Sequence, residues 1–209
     1  MIDESVSLAK IQIDNSLDLG WRREDIIFAA NFEYSYNGVK SLIVSDSNYT
    51  EYDPRCSKHT TIVELFDRGL IDRNQLYWFH DLNACQSEPI TESELALGEA
   101  DLALTDYGWR EKWNTGSFFF TSGADDLFRE LVQIQNQFKI GDEFAMMILT
   151  KRPSAECERF FKQKRIPAVE YSSKIIFDAR VKQINISYNF VPVKDTERCY
   201  DVAIKPIKV

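Results

Sequence analysis

Short apolar runs of strand length recur along this chain, and longer stretches with helical periodicity lie between several of them. Residues 25–30, 41–44, 77–79, 101–104 and 118–120 are such runs, each dominated by aliphatic or aromatic side chains. Runs this short and this continuously apolar read as strands covered on both faces, as in the centre of a parallel sheet. Residues 125–138 place Leu127, Phe128, Leu131, Ile134 and Phe138 on one side of a helix. Residues 61–70 also read as a helix, opened by a Thr61–Glu64 capping box and closed by Gly69. Further helices are expected from Asp142-Glu143 through 149 and over 154–163. The alternating segment 10–13 reads as a strand, 14–21 as a loop, and 175–177, 184–188 and 200–204 as late strands. Strands interleaved with helices predict an α/β domain, with a mixed, mostly parallel central sheet flanked by helices.

A length of 209 residues suits one domain, and no repeat or linker divides it. With 44% hydrophobic residues the chain can build a core, and the 13% aromatic share is mostly needed to fill it. The formal net charge of −8 argues against a dedicated nucleic-acid binder, although a local basic cleft at Lys151-Arg152 or at 162–165 stays open. Cys56, Cys85, Cys157 and Cys199 form no C-x-x-C pair, so free thiols fit better than a structural zinc or a disulfide framework. No signal peptide opens the sequence, and no apolar run approaches the roughly 20 residues of a membrane span. The expected location is therefore the cytoplasm, a host cytoplasm if the chain is viral.

In open α/β sheets ligands collect beyond the carboxyl ends of strands. That rule directs attention to Asn31, Tyr34 and Tyr36 after the first long run, and to His80 and Asp81 after the third. Asp81-x-Asn83 puts a carboxylate and a carboxamide two residues apart. In extended chain both face one side and offer hard oxygens to Mg²⁺ or Mn²⁺. The same pattern also serves an ordinary turn. Asn114-Thr115-Gly116 reads as a turn whose glycine permits close backbone approach. Asp142-Glu143 opens a helix, where acids also favour the dipole. Tyr34 or Tyr36 is placed to stack on a base. Arg55 and Lys58 are candidate phosphate or acceptor contacts, or simply solvated loop residues. His80 is expected to point away from Asp81, as a core group beside the site.

Taken together, three passages resemble the GT-A-type glycosyltransferases, especially small enzymes of that kind in bacteriophages and bacteria. Tyr77-Trp78-Phe79-His80-Asp81-Leu82-Asn83 resembles their strand and D-x-D element. The segment 101–108, followed by Trp113-Asn114-Thr115-Gly116-Ser117, resembles the stretch ending in an N-[ST]-G turn. Asp142-Glu143-Phe144 resembles the acidic pair opening a helix. The segments 10–16 and 184–190 also fit, so the likeness spans most of the chain as a single domain, 1–209. It implies a nucleotide-binding part over about 1–90 and a sugar and acceptor part over about 91–209.

The resemblance implies transfer of a sugar from a nucleotide sugar, UDP-linked by preference, to an acceptor. Mn²⁺ or Mg²⁺ would be held by Asp81 and Asn83, and the donor would be met by Asn31, Tyr34, Tyr36, Asp81, Asn114, Thr115 and Gly116. Asp142 and Glu143 would act near the reacting sugar. Asn83 departs from the second acid of the element, and no His follows position 80 to complete a metal shell. A modified base of phage DNA is one candidate acceptor. The alternatives are a noncatalytic carbohydrate- or partner-binding domain of the same fold, and a metal-dependent nuclease or hydrolase using Asp81, Asp106, Asp142 and Glu143.

Overall fold

A computed structural model describes residues 2–82, 84–86, 89–90, 92–95, 97–108, 110–152, 155–164, 180–185 and 203–204. Asn83 lies outside the described residues, as do the strand expected at 175–177 and most of the segment 184–190. The chain opens with helix α1 (Ile2–Asp18), where a strand at 10–13 and a loop over 14–21 were expected. Ala9, Gln12 and Ile13 are buried while Ile11 is 41% exposed. The covered positions follow the three- and four-residue steps of a helix face, and the apparent alternation of two isoleucines was accidental. Gly20 at φ +92° ends α1: its N–H donates to Leu17 O, and the Trp21 N–H to Ser16 O. This is a Schellman closure.

Strands β1 (Phe28–Ala30), β2 (Ser35–Tyr36) and β3 (Val39–Ile43) form a small sheet in the order β1-β3-β2. Asn37 and Gly38, both at positive φ, make the β2–β3 turn. Helix α2 (Ser57–Asp67) begins four residues before the expected start. The capping box does not form, because the Glu64 carboxylate instead accepts from the Ser45 N–H at 2.9 Å and from Asn48. A 3-10 turn over Pro54–Cys56, capped by Asp53, leads into the helix. Gly69 closes it as expected, with the Leu70 N–H donating to Leu65 O at 2.9 Å.

The remaining described elements are β4 (Tyr77–His80), β5 (Cys85–Gln86), α3 (Glu92–Leu95), β6 (Leu102–Asp106), β7 (Trp113–Phe120), α4 (Asp125–Phe138), α5 (Asp142–Leu149), α6 (Ala155–Lys164), β8 (Val181–Gln183) and β9 (Ala203–Ile204). The main sheet runs β4-β7-β6-β8, and β5 pairs with β9. The fold is mixed α/β, but the main sheet is not mostly parallel. β7 is antiparallel to both β4 and β6, and only β8 joins β6 in parallel. The reason lies in the six residues 107–112 between β6 and β7, too few for the crossover of a dozen or more that a parallel pair needs. Among the described residues, no helix is long and apolar enough to cross a membrane.

Both faces of the main sheet are covered, as the apolar runs required. Phe118 and Phe120 face a core built with α2, α4 and α5, while Phe119 packs the other way with Leu95, Ala103 and Ile184. Across the β4–β7 ladder three aromatic pairs stack in register. Tyr77 meets Phe120 at 5.4 Å, Trp78 meets Phe119 at 5.8 Å, and Phe79 meets Phe118 at 4.7 Å. Such cross-strand pairs pin register as well as adding area burial. Phe118 is fully buried between the His59 and Phe128 rings. Its replacement by alanine should cost about 3–5 kcal/mol in urea denaturation, and a loss below about 1 kcal/mol would show that this layer is not packed as described.

Candidate functional site

The strongest departure from regular structure lies where β4 ends. The β6–β7 register jumps from Leu104↔Phe118 to Thr105↔Asn114, so that three residues of β7, 115–117, fall within the shift. On the β4 side Ser117 still pairs with His80, and the Asp81 N–H donates to Gly116 O at 2.7 Å. Asn114-Thr115-Gly116 is thus not a turn between strands but a bulge inside the longest strand, and it re-aims side chains as bulges do. The Asn114 Oδ1 accepts the Gly116 N–H at 3.0 Å and holds the bulge closed. A Cβ on Gly116 would lie 3.2 Å from Asn114 Oδ1 and 3.4 Å from Asp81 Oδ2, so a bare glycine suits this approach.

Lys58, in the first turn of α2, reaches into this corner. Its Nζ lies 3.0 Å from Asp81 Oδ1 and 3.2 Å from Asp142 Oδ2, and donates to Thr115 O at 2.9 Å. The ammonium also sits 5.5 Å from the centre of the Phe79 ring. Lys58 and Asp142 side chains are only 7% and 3% exposed, whereas Asp81 is 39% exposed and forms the open side. Asp142 heads α5, and its carboxylate also accepts from Thr115 Oγ1 at 2.7 Å and from the Glu143 N–H at 2.9 Å. Burial alone would raise the Asp142 carboxyl. The Lys58 ammonium and the Thr115 hydroxyl outweigh burial, and the group is held down to about 2. Asp81 is shifted upward by burial and by the nearby Asp142 charge, which Lys58 only partly counters.

Glu143 follows Asp142 but turns elsewhere. Its carboxylate accepts a short hydrogen bond from the Tyr107 hydroxyl and lies 2.5 Å from Lys112 Nζ. Lys112 in turn sits over the Phe144 ring at 4.7 Å. Arg55 pairs with Asp53 at 2.7 Å above Gly141, where a Cβ would come within 2.5 Å of Asp53 Oδ2. A cavity of about 380 Å³ adjoins the cluster, enclosed by α1, the strand β1, α2 and β4, with Lys58, Asp81 and His80 in its wall. That volume is within the range of small-ligand sites.

The structure therefore brings Asp81, Thr115, Gly116 and Asp142 together, with Asn114 behind them and Glu143 at the flank. Asn31, Tyr34 and Tyr36 do not join them and do not line the cavity. Asn31 bonds Asp46, Tyr34 packs on Phe28 and Phe32, and the Tyr36 hydroxyl donates to Asp14. His80 lies beside Trp78, with its Nδ1 3.2 Å from Asp81 O. Lys58, which the sequence offers as a phosphate or acceptor contact or as a solvated loop residue, lies instead in the first turn of α2, buried against Asp81 and Asp142. The sequence gives no sign of Gln12 and Asn15 of α1, which grip the chain beyond Asp81. Gln12 Nε2 donates to Leu82 O and Ala84 O, and Asn15 makes paired bonds with the Gln86 main chain at 2.8 and 2.9 Å.

The divalent cation that the resemblance implies does not fit this donor set. The position between Asp81 and Asp142 is taken by the Lys58 ammonium, and no three His, Cys, Asp or Glu side chains converge on a common point among the described residues. No family model, curated protein or solved structure matches the chain.

Behind Lys58, His59 is fully buried and pairs with Gln135 at 2.8 Å. Burial, aided by the Lys58 charge, pushes its ring from 6.5 down to about 3. The ring stays neutral in the fold and gains a proton on unfolding. Stability should therefore rise with pH between about 3 and 6.5, by up to about 1.4 kcal/mol per pH unit from this group. Asp142 acts in a lower window, its contribution fading as pH falls from 3.8 towards about 2. Denaturation of His59→Leu across pH 4.5–6.5 should show a flatter slope than wild type; equal slopes would mean that the ring is charged in the fold.

Proposed function

We propose that this chain is a glycosyltransferase that takes a nucleotide-linked sugar at the Lys58–Asp81–Asp142 cluster and passes the sugar to a separate acceptor. One observation carries the reading: the three segments that resemble glycosyltransferase elements, far apart in sequence, meet around one ammonium. The adjoining cavity offers room for the nucleoside. The buried Asn114 Nδ2 has no partner, a donor that a sugar hydroxyl would satisfy. Transfer requires an acceptor hydroxyl to attack the anomeric carbon as the nucleoside diphosphate leaves. Lys58 and Arg55 are the cations nearest to receive its charge. Asp81, the open carboxylate with its upward-shifted proton affinity, is the group placed to take the hydroxyl proton.

A second reading, noncatalytic binding of the same sugar nucleotide, draws on the fact that Asp142 and Glu143 are both engaged by lysines. The nuclease reading finds less support, because Asp106 pairs with Arg152 at 2.7 Å, apart from the other acids.

A thermal-shift screen of UDP, GDP and their sugar conjugates tests the site. At about 100 times Kd a true ligand should raise Tm by roughly 5–10 °C. Asp81→Asn should reduce the shift while keeping the far-ultraviolet circular dichroism of wild type. Absence of any shift from this panel would rule out the donor site. Binding without release of free sugar or transfer to any acceptor would favour the noncatalytic reading.

A further inference from the structure

The three groups around Lys58 Nζ all offer oxygens: both carboxylate oxygens of Asp81 at 3.0 and 3.2 Å, one from Asp142, and the carbonyl of Thr115. Two carboxylates and a carbonyl are the donor set that Mg²⁺, Mn²⁺ and Ca²⁺ select. Here the separations of 2.9–3.2 Å are those of ammonium hydrogen bonds, and the three N–H donors of a lysine match three acceptor groups, the two Asp81 oxygens sharing one donor. The ammonium is not a loosely held surface charge. It is fixed at the start of α2, nearly closed off from solvent, and braced against Phe79.

Asp142 explains why it stays. That carboxylate is buried, and Lys58 is its only ion-pair partner within 4.0 Å among the described residues. Withdrawal of the ammonium to admit a metal would move a charged lysine away from the anion that needs it, and a metal arriving with the ammonium in place would meet a like charge. The charges are one cation and two anions, −1 in sum; without Lys58 the cage carries −2.

We propose that Lys58 is the resident cation of an oxygen cage formed by Asp81, Asp142 and Thr115, standing in the place of a divalent metal, so that the wild-type site holds none. Lys58 can exchange its contact with Asp81, on the open side, for one with an incoming anionic ligand, while Asp142 keeps the ammonium in position. The cage is a metal site in all but its occupant, and removing that occupant should reveal it.

The test contains no nucleotide, so its outcome is separate from that of the sugar-nucleotide screen. Mn²⁺ is titrated into the full chain and free Mn²⁺ is followed by electron paramagnetic resonance. Wild type should leave the free signal undiminished and its Tm unchanged. Lys58→Ala should bind one Mn²⁺ at least about tenfold tighter than wild type, regain Tm on addition of the metal, and lose both effects when Asp81→Asn is added. One equivalent of Mn²⁺ bound by wild type and lost in Asp81→Asn would overturn the proposal. So would a folded Lys58→Ala that binds Mn²⁺ no better than wild type. The wild-type titration decides the matter even if Lys58→Ala does not fold.

Discussion

The interaction on which the rest depends is the pairing of β7 with two neighbours at once. Trp113–Phe120 is the longest strand among the described residues, and it runs antiparallel to β4 on one side and β6 on the other. Its Phe118-Phe119-Phe120 end carries the stacked ladder that fixes β4, and its alternate faces seed the two apolar clusters. The other end cannot continue that regularity. Where the register to β6 breaks, the strand bulges toward β4, and the Thr115 carbonyl and hydroxyl become available to Lys58 and Asp142. The stable half of the strand anchors the bulged half. A site built this way inherits its precision from core packing rather than from a loop.

Placing an ion pair at that junction has a known energetic character. Two buried charges lose much of their hydration, and their attraction often does no more than offset the loss. Removing one partner of such a pair costs about 3–5 kcal/mol, because it leaves a buried charge uncompensated. The Lys58–Asp142 pair is therefore a poor device for stability alone, and an apolar pair of similar volume would serve a scaffold as well. What the pair does secure is a fixed positive charge beside a half-exposed carboxylate, at the wall of a cavity of about 380 Å³. The same logic extends to His59, whose neutral ring fills the space behind Lys58 without adding a second positive charge. A protonated imidazole there would repel the ammonium that the site requires.

Much of the fold was legible where pattern and packing agree. Residues 77–79 and 118–120 are aromatic runs with few alternatives to a covered strand, and 125–138 has an apolar face that only a helix can assemble. Errors arose where small or polar residues do the burying. In α1 the inward face is Ala9, Gln12, Ile13 and Ser16, of which only one is strongly apolar, so a helix passed for an alternating strand. Asn114-Thr115-Gly116 read as a turn because Asn and Gly disfavour regular strand, while the strand neighbours that hold it are distant in sequence. Asp81 and Asp142 stood out as acids at element ends. Lys58 did not, since its role comes from burial between groups 23 and 57 residues away.

Asp142 and Glu143 show why adjacent residues cannot be given one role. Successive side chains on a helix point about 100° apart, so an acidic pair at a helix start addresses two different surroundings. Asp142 turns inward to the bulge, where a lysine, a hydroxyl and a main-chain N–H keep it charged. Glu143 turns along the sheet edge to Tyr107 and Lys112, a link between the β6–β7 connection and α5. The Asp142 and Glu143 side chains are 3% and 13% exposed, against 39% for Asp81. The two acids thus differ in partner and surroundings, and only Asp142 belongs to the Lys58 cluster. Asp81 is therefore the open acid of the cluster, and Asp142 the buried one that holds the ammonium against it.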